Sequence, residues 1–164
     1  MIPTGEKAAR AAHWLALLVP AALLGGAYIS QYAFGLYPCE MCWWQRYAHF
    51  AALAFAVLAL AQRRLTVAVP LAMLAIATAA ALGAFHAGVE YGWWEGITAC
   101  STTADRAPGQ SALDAIMNAP LVRCDVAPWT KFGISLAGFN FLLSGAGAIA
   151  IAWLLGRSKQ GDTA

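Results

Sequence analysis

Charged side chains are scarce in this chain of 164 residues. Only 11% of its residues are Asp, Glu, Lys or Arg, whereas 61% are hydrophobic, and the mean hydropathy is +0.62. Soluble domains carry about 25% charged residues, so a soluble protein of this composition would have to expose an almost wholly apolar surface. The net charge of +2 is small, and no basic stripe with interleaved aromatic residues is present, which argues against a nucleic-acid partner. The chain also lacks an internal repeat and has the length of one domain, so we expect residues 1–164 to form a single integral membrane domain.

Four apolar runs are long enough to cross a lipid bilayer: residues 13–33, 43–61, 65–86 and 132–155. At about 1.5 Å per residue, each run covers the ~30 Å hydrocarbon core as a helix. The runs do not alternate apolar and polar residues, as the strands of a membrane barrel would. The first run is longer than the apolar core of a signal peptide, so we expect it to remain as an anchor. The sequence therefore predicts an all-α membrane protein, a bundle of four transmembrane helices.

The positions of Lys and Arg predict the orientation of these helices, because cytoplasmic segments are enriched in both residues. We expect both termini in the cytoplasm, together with the tight turn that contains Arg63 and Arg64. All four cysteines then face the opposite side, where a long loop, residues 88–131, joins the third and fourth helices. Within the loop, the segment SALDAIMNAP begins with Ser111 and has Asp114 three positions later. This capping pattern predicts a short helix, which we expect to lie on the membrane surface.

Two of the four cysteines, Cys39 and Cys42, form a C-x-x-C pair at the mouth of the second helix. A zinc site would need a second close pair, but Cys100 and Cys124 lie far apart in the sequence, so we expect no metal. A disulfide within C-x-x-C closes too small a loop to stabilise the chain much, and such pairs are more often redox-active. Cys100 and Cys124 have two open interpretations. They form either a disulfide that staples the outer loop or a second redox pair that exchanges a disulfide with the first.

Several polar residues near these cysteines are candidates for the chemistry. Arg46 follows Cys42 by four residues and so lies on the same helix face, one turn deeper. It either snorkels to the interface or stabilises a Cys42 thiolate and an anionic partner. His86 and Glu90, four residues apart, share a helix face if the third helix extends that far; they are either solvated at the interface or in contact with a redox cofactor. His49, inside the second run, is either packed in the core or functional.

The order of these motifs resembles that of the disulfide bond formation protein B (DsbB) family. The shared features are the C-x-x-C after a first span, Arg46 four residues later, a short basic turn, a third span that ends in HAGVEYGWWEG, and a loop with Cys100 and CDVAPW at Cys124 before a fourth span. The resemblance covers about residues 10 to 155. It implies a four-helix oxidase of the bacterial inner membrane, a protein-dithiol:quinone oxidoreductase whose cysteines face the periplasm.

On the membrane side, the resemblance implies a quinone as the electron acceptor, either ubiquinone or menaquinone. Cys39 and Cys42 are implied to be the pair next to it, with Cys42 as the thiolate beside the quinone ring. Arg46 is implied to support quinone binding, and His86 and Glu90 are candidates for the same site.

On the periplasmic side, the resemblance implies a soluble partner, a thioredoxin-fold protein of the DsbA type. Cys100 and Cys124 match the loop pair of the family. Cys100 is implied to be the residue that the partner's thiolate attacks, and Cys124 is implied to attack Cys39 and so to exchange a disulfide between the two pairs.

Rival functions remain on the sequence alone. A vitamin K epoxide reductase-like enzyme is also a helical bundle with four cysteines, but in that family the loop pair precedes the C-x-x-C, whereas here it follows. A membrane scaffold or assembly protein would use the cysteines only as structural disulfides. A transporter has little support, because the chain has neither a repeat nor a pair of broken helices.

Overall fold

The computed structural model describes residues 5–61, 67–98, 101–102, 108–109, 111–117 and 121–161. Its helices are α1 (Gly5–Phe34), α2 (Glu40–Ala61), α3 (Ala68–Glu90), α4 (Ala112–Met117) and α5 (Leu136–Gly161). Four short strands lie between α3 and α5: β1 (Ser101–Thr102), β2 (Leu121–Val122), β3 (Thr130–Lys131) and β4 (Ile134–Ser135). The described part of the chain is therefore mostly helical, as predicted. Arg63, Arg64 and Cys100, on which some of the predictions rest, lie outside it.

Three helices of the described residues are long and apolar enough to cross a membrane: Gly5–Phe34, Ala68–Glu90 and the part of α5 that covers Leu136–Lys159. They correspond to the first, third and fourth predicted spans. The second predicted span corresponds to α2, which is not one of the three. That α2 also crosses the membrane, which would complete a bundle of four spans, stays a prediction.

The four long helices pack around a core made largely of alanine. Helix α1 contacts α2 and α5, and α3 contacts the same two helices from the other side. Small side chains let helix backbones approach each other closely, which is the usual basis of packing between helices in membranes. The buried cluster consists of Ala8, Ala12, Ala16, Ala52, Ala56, Ala72, Ile76, Ala148, Ile151 and Leu154.

The helix boundaries differ from the predicted runs at two points that matter for the site. Helix α3 continues to Glu90, so His86 and Glu90 do share one helix. Helix α5 begins at Leu136, and the predicted start at residue 132 is wrong because a hairpin precedes the helix. Strands β3 and β4 pair through a turn in which Phe132 (φ 55°) and Gly133 (φ 77°) both have left-handed backbone conformations. Two consecutive residues of this kind make the tight turn of a two-residue hairpin, which apolar content alone does not reveal.

The described residues between α3 and α5 form two pairs of short strands and one short helix. Strands β1 and β2 pair in antiparallel fashion. The predicted short helix is present as α4, and the Ser111 hydroxyl accepts a hydrogen bond from the backbone N–H of Asp114 at 3.0 Å. Tyr91, at the end of α3, ties the second hairpin down: its hydroxyl accepts from the N–H of Ser135 at 3.0 Å and donates to the carbonyl of Gly133 at 3.3 Å.

Candidate active site

The C-x-x-C pair lies where the chain enters α2. Cys39 immediately precedes the helix and Cys42 is in its first turn. Their sulfur atoms are 3.3 Å apart, and the backbone N–H of Cys42 points at the Cys39 sulfur at 3.4 Å. Both cysteines are free thiols here. The hydrogen bond from Cys39 to Cys42, with burial second, raises the pKa of Cys39 to about 12.

A third cysteine packs against this pair. Cys124 is buried in one apolar cluster with Cys39, Met41 and Val89, and it interacts with the Cys39 side chain. It too is a free thiol, and burial raises its pKa. The structure thus brings together three of the four predicted redox cysteines. The pairing of Cys124 with Cys100 stays a prediction, because Cys100 lies outside the described residues.

His86 and Glu90 reach the cysteine pair from α3. The Nε2 atom of His86 lies 3.5 Å from the Cys39 sulfur and 3.7 Å from Oε1 of Glu90. Both side chains are almost completely buried, at 2% and 1% exposed. The ligand atoms of Cys39, Cys42 and His86 lie within 4.8 Å of one another, an arrangement that could hold a metal ion. Our expectation of no metal stays a prediction.

Arg46 is buried one turn below Cys42, and its described contacts join α2 to α1. Its guanidinium donates to Oε1 of Gln31 at 2.6 Å and to the carbonyl of Ala27 at 3.2 Å. It also lies between two aromatic rings, 4.8 Å from the centre of Tyr28 and 4.9 Å from that of Trp43. Such contacts stabilise a cation away from water, so Arg46 is held in place rather than extended to the interface.

A cavity of about 340 Å³ opens between α1, α2 and α5 beside the cysteine pair. Most of its lining is apolar, including Leu23, Leu24 and Leu143, and its polar members include Arg46, His49 and Glu90. Cys42 borders this cavity and also a second one of about 320 Å³.

The second cavity lies on the side of the connecting segment. Cys39 and His86 line it together with Val122, Arg123 and Val126, which flank Cys124 in the chain. Cys42 therefore lies between a cavity within the helices and a cavity that faces the loop. Of the residues predicted to bind a cofactor, Cys42, Arg46 and Glu90 line the first cavity and His86 lines the second.

A buried polar network connects this site to the middle of the helices. Of its residues, only His49 and His86 are among the candidates predicted from the sequence. Gln45 contacts Nδ1 of His86 at 2.9 Å and receives a hydrogen bond from Asn140 at 2.7 Å. Asn140 in turn contacts Nε2 of His49 at 2.9 Å and receives a hydrogen bond from Ser144 at 2.9 Å. The available signal was the presence of amide side chains inside apolar runs, where unpaired polar groups are costly.

Comparison with known proteins adds a family assignment. The family model described as disulfide bond formation protein DsbB matches residues 9–154, which is nearly the whole chain. None of the curated proteins and none of the solved structures compared with the chain matches it significantly.

Proposed function

The chain belongs to the disulfide bond formation protein DsbB family, and on this basis we propose that it is a protein-dithiol:quinone oxidoreductase of the bacterial inner membrane. Membership of this family implies a role in disulfide-bond formation at a membrane. The finer proposal is that the chain reoxidises a periplasmic thioredoxin-fold protein of the DsbA type and passes the electrons to a membrane quinone. The observation that carries it is the position of Cys42, between a cavity within the helices and a cavity on the Cys124 side.

The thiol side of the reaction consists of two disulfide exchanges. A thiolate of the reduced partner attacks Cys100 in a Cys100–Cys124 disulfide, and the partner's second thiolate then completes the partner's own disulfide. Two electrons have now moved to Cys100 and Cys124. The Cys124 thiolate attacks Cys39 in a Cys39–Cys42 disulfide and releases Cys42 as a thiolate. Cys100 then attacks Cys124 in the resulting Cys39–Cys124 disulfide, which releases Cys39 as a thiolate and restores the loop disulfide. Burial of Cys124 against Cys39 supports this order of attack.

The cavity beside Cys42 has properties that suit a quinone. A bound quinone supplies an acceptor for two electrons and two protons. The cavity has the size of a small-molecule site and is mostly apolar with a few polar groups, which is typical of such sites. Arg46 would hold the ring with those N–H groups that Gln31 and Ala27 do not use, and Cys42 borders the same space. The described hydrogen bonds of Arg46 go to α1, so its effect on the Cys42 thiolate stays a prediction.

The proposal also includes an orientation of the chain in the membrane. We expect α2 to cross the membrane with α1, α3 and α5, both termini to be cytoplasmic, and the cysteines to face the periplasm. Three apolar helices and the family assignment support a membrane protein. The positions of Lys and Arg support the cytoplasmic location of both termini.

The test is quinone reduction by purified protein in detergent, with a reduced DsbA-type protein as the electron donor. We expect steady turnover by the wild type and its loss in both Cys42→Ser and Cys100→Ser. Circular dichroism of each variant controls for folding. Absence of turnover in the wild type with both ubiquinone and menaquinone analogues would overturn the oxidase proposal and favour a scaffold with structural disulfides. Loss in Cys42→Ser alone would retain the quinone reaction and leave Cys100 and Cys124 only the role of a structural disulfide.

A further inference from the structure

Two backbone carbonyls determine the orientation of the buried polar network. The carbonyl of Ala79 lies 3.0 Å from Nδ2 of Asn140. A carbonyl oxygen can only accept, so the amide group of Asn140 must present its NH₂ here. The other hydrogen of this NH₂ goes to Oε1 of Gln45 at 2.7 Å. The oxygen of the Asn140 amide therefore faces His49.

The same argument applies to Gln45. Its Nε2 atom donates to the carbonyl of Met41 at 3.2 Å, which fixes the amide in the orientation that accepts from Asn140. The second hydrogen on Nε2 points at Nδ1 of His86, 2.9 Å away. The carbonyls of Ala79 and Met41 thus independently indicate the same direction of hydrogen-bond donation. Asn140 donates to Gln45, and Gln45 donates to His86.

This direction determines where His49 carries its proton. Because Oδ1 of Asn140 can only accept, Nε2 of His49 must donate across the 2.9 Å that separates them. The Ser144 hydroxyl donates to the same oxygen at 2.9 Å. In neutral His49 the other nitrogen, Nδ1, is then an acceptor without a proton. Nδ1 is buried and has no hydrogen-bond partner among the described residues, and His49 as a whole is 3% exposed.

The location of His49 suggests which kind of group could pair with this acceptor. His49 lines the cavity that also contains Cys42 and Arg46. It lies three residues beyond Arg46 on α2, a rise of about 4.5 Å, so the two residues line one cavity at different depths. A buried acceptor without a partner is unfavourable, and a hydroxyl of a ligand in this cavity would satisfy it on reaching Nδ1.

We propose that Nδ1 of His49 accepts a hydrogen bond from a ring hydroxyl of the reduced quinone, the quinol, and so makes the cavity bind quinol more tightly than quinone. This inference rests on the proposed function. A quinone ring presents carbonyl oxygens, which cannot donate to Nδ1, whereas a quinol presents hydroxyl groups, which can. The overall reaction moves two electrons and two protons from a dithiol to the ring, leaving a disulfide and a quinol. Preferential binding of the quinol favours that direction for the ring while it is bound to the protein.

A matched pair of variants separates the two nitrogens of His49. His49→Gln keeps a side-chain nitrogen near the position of Nε2, where it can still donate to Asn140, but has no atom at Nδ1. His49→Asn keeps a polar atom near Nδ1 but does not reach Asn140. Both variants are placed in a full-length Cys39→Ser/Cys42→Ser chain, so that the ligands bind without reacting. The dissociation constants of a short-chain ubiquinone and of its reduced form are measured by quenching of tryptophan fluorescence in detergent.

We expect the parent chain to bind the quinol about three- to tenfold more tightly than the quinone, the effect of one neutral hydrogen bond. His49→Gln should lose this preference with little change in quinone affinity, and His49→Asn should keep part of it. A preference that survives in His49→Gln would overturn the inference and leave His49 a purely structural role. Binding without any preference in the parent chain would overturn it too. If the parent chain binds neither form, the proposed quinone reaction fails together with this inference.

A second measurement tests the proton position without any ligand. The chain has three histidines, so ¹⁵N-histidine spectra are assigned with one variant for each. We expect His49 as the neutral Nε2–H tautomer, with an Nδ1 signal that moves on addition of quinol and much less on addition of quinone. A proton on Nδ1 of the neutral ring would contradict the inference.

Discussion

Gly83 allows α3 to approach α5 closely, and Gly83→Ala should disturb both the packing and the site. A Cβ atom at this position would lie 2.9 Å from Nδ2 of Asn140, 2.9 Å from the backbone nitrogen of Phe141 and 3.0 Å from the carbonyl of Ala137. Two of these atoms belong to the backbone, so the helices must separate. Overpacking of this kind costs about 1–3 kcal/mol, and the higher helix propensity of alanine offsets about 0.5–1 kcal/mol. We expect a net loss of about 0–2.5 kcal/mol in the free energy of unfolding.

The matched control is Gly145→Ala, because Gly145 is also inside a long helix and a Cβ atom added there would meet no neighbouring atom within 4 Å. It should be neutral or slightly stabilising. Thermal or denaturant unfolding in detergent, followed by circular dichroism, compares the two variants. Gly83→Ala should also perturb the ¹⁵N signals of His49, since Asn140 must move. Equal stability of the two variants would refute the reasoning from close helix contact.

Three further outcomes are expected. Arg46→Lys should raise the KM for quinone about tenfold, since lysine keeps the charge but cannot reproduce a planar donor between two rings. In the reduced protein, Cys39 should resist iodoacetamide up to about pH 9 because its pKa is about 12, and Cys42→Ala should make it react at lower pH; mass spectrometry follows the labelling. With a folded-state pKa above the usual 9.0, Cys39 stabilises the fold fully below pH 9 and loses that contribution as the pH rises towards 12. In an otherwise cysteine-free chain, an impermeant maleimide should label Arg63→Cys only from the cytoplasmic side and Phe132→Cys only from the periplasmic side; the reverse would overturn the orientation.

Much of the fold follows from the sequence because burial in lipid requires long apolar helices. Hydropathy therefore predicts the long helices, and the Ser111 pattern predicts α4. Hydropathy could not place the start of α5, because Phe132 and Ile134 are as apolar as the helix that follows, yet they flank Gly133 in a hairpin turn. That boundary depends on local backbone conformation rather than on partition into lipid.

The candidate site was predictable where its chemistry is local in the sequence. Cys39, Cys42 and Arg46 lie within about two helical turns, so spacing alone indicates that they share a face. The contact between Gln45 and Asn140 joins residues that are 95 positions apart, and no periodicity of either helix indicates that the two amides meet. Only the packing of α2, α3 and α5 brings them together.

The same polar residues explain why α2 is the long helix that falls outside the set of apolar spans. Gln45, Arg46 and His49 occupy its first turns and lower its hydropathy, whereas the second half of the helix is as apolar as its neighbours. Polar groups in a membrane helix are unfavourable unless they are paired; all three side chains are buried, and each has at least one hydrogen-bond partner on α1, α3 or α5. The weak hydropathy of α2 is thus the consequence of placing the site on it. It does not argue against insertion, because the neighbouring helices supply the hydrogen bonds that lipid cannot.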